Sequence, residues 1–322
     1  MKNMNCSEVD VFERREFLKR SALIAAGAVL AEKFAKWSEI AASVAEEKSK
    51  VVVVTSDAVI REGQAANASV VEKMLERGIC ELAGKSNPVE AWKNFLKPTD
   101  VVGIADAGKH LENVPEVVAA VLKGIASAGV ASMKLGYFDY GDRRAWLGEV
   151  SKGLKPAGIS EDVFQGGIYK IPARFAVEPY TVVMQIPTVK PNIMSGVAGV
   201  IKHFATMAKR GPAVYHPDGM VTAGSVINDD FAGKHRLVIV DALKFAVTQR
   251  PHRPPDALHY QKSLILSTDA VAADAVALDL FLKAGCKPFG DVPPRWHIEA
   301  ADKVYHAGVS DLARIEVRQV RV

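Results

Sequence analysis

Apolar residues fall along this chain in two rhythms. Short apolar runs at 50–55 (KVVVVT), 100–105, 131–138, 180–186, 236–240 and 263–267 predict strands buried on both faces. Between them, apolar residues recur every three or four positions, which predicts helices. Ser69-Val70-Val71-Glu72 reads as a capping box opening a helix that runs to about Gly84, and Asn87-Pro88 opens a second, short one. Asn113-Val114-Pro115-Glu116 caps a helix through Ala128 that Gly129 ends. Asp269 caps a helix with apolar residues at 271, 275, 278, 281 and 282. A further helix is expected over 296–306, and 315–320 reads as an edge strand. Strands alternating with helices predict an α/β fold, a mostly parallel sheet with helices on both faces. Residues 153–179 break the rhythm and read as an inserted irregular flap, and 211–231 reads as loop.

One stretch concentrates polar residues. The strand at 180–186 ends at Pro187, a polar loop follows over 188–195, and residues 196–208 have near-helical apolar spacing. This strand–loop–helix unit gathers Lys190, Asn192, Ser195, Lys202 and His203 near one strand's carboxyl end, where open α/β sheets bind ligands. Asp241 ends a later strand and Asp139 an earlier one, so both are expected on the same edge. Tyr215-His216-Pro217-Asp218-Gly219 is a polar turn facing this region, and His203, His216 and Asp218 form a candidate metal set, with both histidines as candidates for proton transfer. Each residue also has a plainer reading as a solvated lysine, a turn former or a cap.

Composition narrows the picture. The 322 residues are 49% hydrophobic and 24% charged, enough apolar surface for a substantial core. The net charge of +4 is spread along the chain without a basic block, which argues against a nucleic-acid partner. Residues 1–45 read as a targeting segment, leaving 46–322 as a single α/β domain. Glu13-Arg14-Arg15-Glu16-Phe17-Leu18-Lys19 resembles the twin-arginine export motif, followed by an uncharged Ala- and Gly-rich stretch at 21–31 and a small-x-small cleavage site at Ser43-Val44-Ala45. The uncharged stretch is too short for a bilayer span, which takes roughly 20 residues. The expectation is export in the folded state, with Arg14 and Arg15 engaging the twin-arginine machinery, to a periplasmic or other extracytoplasmic location without a permanent membrane span.

Three cysteines are present: Cys6, which would leave with the leader, Cys80 and Cys286. Two cannot by themselves hold an iron–sulfur cluster, so none is expected. A Cys80–Cys286 disulfide and two buried thiols both fit, with buried thiols the expectation. Ala83-Gly84-Lys85-Ser86 is not a phosphate loop, because a helix rather than a strand precedes it. The usual dinucleotide, zinc-protease and serine-hydrolase signatures are absent from the sequence.

The segments Ile186-Pro187-Thr188-Val189-Lys190-Pro191-Asn192, Gly196-Val197-Ala198-Gly199, Lys202-His203, 235–243, 264–274 and 308–311 resemble the family called domain of unknown function 362, over about residue 50 to the C-terminus. The chain departs from the family pattern at Asn192, where relatives carry histidine, and across 104–116. At motif level the central segment is also similar to lactate-racemase-type enzymes, with Gly196, Ala198, Gly199 and Lys202 in register. In those enzymes the lysine anchors a nickel cofactor and a histidine moves protons, but Asn192 stands in the histidine's place and cannot. That resemblance leaves a cofactor- or anion-holding geometry of helix amides with Lys190 and Lys202. Two functions follow as expectations. In the first, a small anionic ligand or a metal-containing cofactor binds at Lys190 and Lys202, oriented by Asn192 and Ser195. In the second, the protein is a non-catalytic scaffold or a subunit of an extracytoplasmic redox complex.

Overall fold

A computed structural model describes residues 48–106, 111–131, 135–138, 180–210, 212–248 and 255–322. The leader with Arg14 and Arg15, Asp139 and the flap expected at 153–179 lie outside the described residues. Ser49–Val322 is one compact unit.

The apolar runs become strands β1 (Ser49–Thr55), β2 (Val102–Asp106), β3 (Leu135–Phe138) and β4 (Val182–Ile186). Two short strands follow, β5 (Lys190–Asn192) and β6 (Gly196–Ala198), then β7 (His235–Ala242), β8 (Phe245–Thr248), β9 (Ala257–His259), β10 (Ser263–Ser267) and β11 (Ile315–Arg321). Among the described residues one seven-stranded sheet has the order β11-β1-β10-β7-β4-β2-β3. Only β10 runs against its neighbours, β1 and β7, and the other four pairings are parallel. The mostly parallel α/β sheet expected from the sequence is therefore present.

Helices cover both faces. On one lie α1 (Ala68–Ala83), α2 (Pro88–Lys93) and α3 (Pro115–Ser127). They pack Met74, Trp92 and Val117 against Val52, Val54, Met184, Leu237 and Ile239. The other face carries α4 (Val200–Met207), α5 (Ser225–Asp229), α6 (Ala270–Lys283) and α7 (Trp296–Lys303). Phe204, Val271 and Phe281 meet Val51, Val53, Val183, Val238 and Val240 there. Alternation along each strand assigns every residue to one face, and this parity decides the site.

Several local expectations need correction. The first helix is capped by Asn67, whose side chain accepts from Val70 N at 3.4 Å, while Ser69 sits inside the helix and donates its hydroxyl back to Asn67. Asp269 does cap α6, accepting from Val271 N and Ala272 N, both at 2.9 Å. Of the span expected as loop at 211–231, the described part from 212 onward forms two 3-10 turns, Pro212–Tyr215 and Asp218–Gly224, leading into α5. Residues 196–208 are not one helix. Gly196, at φ +72°, turns the chain so that β6 folds back antiparallel on β5, and α4 starts only at Val200. Cys80 and Cys286 are buried free thiols. No helix among the described residues is long and apolar enough to cross a membrane.

Candidate functional site

The β5–β6 hairpin carries its own polar chemistry. Asn192 Oδ1 accepts from Met194 N at 2.9 Å and Ser195 N at 3.2 Å, closing the hairpin turn. Ser195 is fully buried and donates to Val197 O at 2.7 Å. Asn192 Oδ1 and the Ser195 hydroxyl are thus engaged within the hairpin itself.

At the carboxyl end of β4, Thr188 Oγ1 donates to Leu111 O at 2.8 Å, and Lys190 Nζ reaches both Leu111 O and Thr188 Oγ1 at 3.3 Å. Asp241, 1% exposed, accepts from Val114 N at 2.7 Å and Leu243 N at 3.2 Å, with Asn113 Nδ2 at 3.3 Å. Burial raises its pKa, and these bonds and the charge of Lys244 oppose the rise. Val114 is the residue before α3 and has no side-chain cap of its own, so Asp241 serves as a remote anchor for that helix start. Its parity matches Leu237 and Ile239, on the α3 face, whereas Lys202 belongs to α4 on the opposite face. The single cleft expected to join Lys190, Asn192, Lys202, His216 and Asp241 is thus divided, with Asp241 and Lys202 separated by the sheet.

A second polar cluster lies on the α4 face, beneath the hairpin. The first amides of α4 do not stand open. Asp274, deep in α6 and 3% exposed, accepts from Ile201 N at 2.8 Å. Burial raises Asp274 to about 6, against the lowering effect of hydrogen bonds from the Ile201 and Val200 amides. Gly199 makes the approach possible: a Cβ there would overlap Asp274 Oδ1. The helix-amide part of the anticipated anion site is therefore already filled by an internal carboxyl group. Asp274 was legible in the sequence only as an acid inside an Ala- and Val-rich helix.

One turn into α4, the Nζ of Lys202 lies 2.9 Å from His216 Nε2. Burial pushes the Lys202 ammonium down to about 8. Burial first, and the Lys202 charge second, lower His216 as well. His297 of α7, 1% exposed, is held down to about 4 by burial and by the same charge. Its Nε2 is 3.9 Å from Asp274 Oδ2, beyond hydrogen-bond range, and neither ring nitrogen has a partner among the described residues. His203 points the other way, its Nδ1 3.2 Å from Gln185 Oε1 on the sheet. Asp218 occupies the 3-10 turn after Pro217, at φ +52°. Among the described residues no group of three or more His, Cys, Asp or Glu is arranged to hold a metal. The trio His203, His216 and Asp218 is thus not gathered: His203 is directed to the sheet and His216 to Lys202.

The comparison with known families bears on this region. A family model described as Domain of unknown function (DUF362) matches residues 161–279. Over that span the chain is similar to the DUF362 family. The match covers the hairpin, Lys202, His216, Asp241 and Asp274, and ends before His297, a shorter span than the resemblance from residue 50 onward suggested. No curated protein and no solved structure matches the chain. The DUF362 segment thus supplies a lysine, an imidazole and a carboxyl group to the cluster, and α7 closes it with a second imidazole.

Proposed function

We propose that this protein is exported and binds a small anionic ligand at Lys202. One observation carries the reading: the part-buried Lys202 amine contacts an imidazole and, among the described residues, no carboxylate. A buried ammonium without a counter-charge is costly, and a bound anion lowers that cost. The unpartnered nitrogens of His297 offer such an anion a hydrogen-bond donor. The anionic group of a metal-containing cofactor would meet the same cation. Calorimetric titration with acetate and with inorganic phosphate tests this. Lys202→Met, which keeps length and removes charge, is expected to weaken binding by about 1.5–3 kcal/mol, the usual value of a hydrogen bond to a charged group. Equal binding and equal metal content in both proteins would remove Lys202 from any site.

Export rests on the Arg14-Arg15 pair and the apolar stretch after it. Replacing both arginines by lysine preserves charge and is expected to leave precursor in the cytoplasm; undiminished export would refute the twin-arginine route. The scaffold reading draws on one feature, the exposed apolar side chains Ile193 and Met194 at the hairpin tip and Val214 and Trp296. A ligand-free protein that co-purifies from the export compartment with a larger redox complex would favour it.

A further inference from the structure

The cluster around Lys202 holds more than a cation. The amine faces a nitrogen base rather than a carboxylate: Nζ is 2.9 Å from His216 Nε2, an atom that accepts a hydrogen bond when the ring is neutral with its proton on Nδ1. A lysine paired to a carboxylate is locked as ammonium, whereas one hydrogen-bonded to a neutral imidazole has a proton acceptor in contact. His297, fully enclosed, adds two ring nitrogens without partners among the described residues. Its protonated ring nitrogen is a donor that no described residue satisfies, and a buried unsatisfied donor points to an external acceptor. The fourth member, Asp274, is fixed by the α4 amides and cannot turn to neutralise Lys202 without releasing them.

We propose that Lys202 is a nucleophilic amine that captures the carbonyl of a small 2-oxo acid as an imine. The proposal rests on the anion-site reading, because the ligand's carboxylate is what brings its carbonyl to the amine. His216 takes one proton from the ammonium, and the freed nitrogen lone pair attacks the carbonyl carbon, forming the C–N bond as the C=O π pair moves to oxygen. The oxygen recovers the proton from His216 to give a carbinolamine. The nitrogen gives up a second proton to that hydroxyl, the C–O bond breaks and water leaves. Ammonium plus carbonyl become protonated imine plus water, with charge unchanged and nothing oxidised or reduced. The positive iminium remains beside the ligand's carboxylate, and the His297 N–H donates to that carboxylate. Desolvation of Lys202 agrees with this role, since it enlarges the neutral amine fraction near neutral pH.

The test incubates the purified folded protein with pyruvate and sodium cyanoborohydride, maps lysines by peptide mass spectrometry, and titrates pyruvate and acetate calorimetrically in parallel. The expected result is one carboxyethyl group on the peptide containing Lys202, well before other lysines label. His216→Gln is expected to slow that labelling by at least about tenfold, as loss of a general base does. Pyruvate that binds without labelling Lys202 overturns the imine while leaving the anion site standing. Labelling spread evenly over surface lysines also overturns it. Failure of both pyruvate and acetate to bind removes the anion site and the imine together.

Discussion

Asp274→Ala is expected to destabilise the folded protein by about 3 kcal/mol at pH 5, since it leaves the buried Val200 and Ile201 amides without an acceptor at roughly 1–3 kcal/mol each. The loss should be smaller at pH 7. Burial raises the Asp274 carboxyl from 3.8 to about 6 in the folded state. Between those values the folded protein keeps a proton that the unfolded chain releases. This group's contribution is therefore complete below the unfolded value and declines as pH rises through the folded one, by on the order of 1.4 kcal/mol per unit. Comparing variant and wild type at each pH cancels the opposite trend of the buried His235, which burial lowers to about 4. Asp274→Asn keeps an acceptor oxygen and should spare most of the stability. Urea unfolding of the three proteins at pH 5 and pH 7 measures this. An alanine effect below about 1 kcal/mol, or one that grows with pH, would show that Asp274 does not secure α4.

Gly199→Ala is expected to cost about 3 kcal/mol, the upper part of the range for overpacking a closed site. The new methyl group would overlap Asp274 Oδ1, on a carboxyl group whose Oδ2 is held in place by the Ile201 amide. The two changes should not add. With Asp274 already replaced by alanine the methyl has room, so Gly199→Ala should be nearly free in that background, and the double variant should be clearly more stable than the two single losses summed. Additive losses in the same unfolding measurements would mean that Gly199 is required for another reason.

Much of the frame could be read directly. KVVVVT at 50–55 and the run at 236–240 are β-branched on both parities, which only a strand buried on both faces satisfies, and both are central strands. The hairpin was hidden because Val197, Val200, Ile201 and Phe204 also fit a helical period, and nothing local shows that Gly196 turns the chain back onto Lys190. The division of the site was legible in principle: Leu237, Ile239 and Asp241 share a parity, so Asp241 had to accompany the α3 face once Leu237 was placed there. Lys202 and His216 were identified from their segment, but their contact depends on two consecutive 3-10 turns that apolar periodicity does not reveal. His297 and Asp274 were missed because neither stands out locally, Asp274 sharing α6 with Asp279 and His297 sharing α7 with Glu299 and Asp302, and only the tertiary packing of α4, α6 and α7 brings them together.

Ligand capture depends on the state of Lys202. Its titration midpoint, followed by NMR in protein carrying side-chain-labelled lysine, tests this most directly. In ligand-free protein the midpoint should lie at about 8, since burial with no carboxylate partner among the described residues disfavours the ammonium, and saturating acetate should raise it because a bound anion favours the charged form. A midpoint at the ordinary lysine value of 10.5, unmoved by acetate, would contradict the claim that Lys202 is a desolvated cation awaiting an anion.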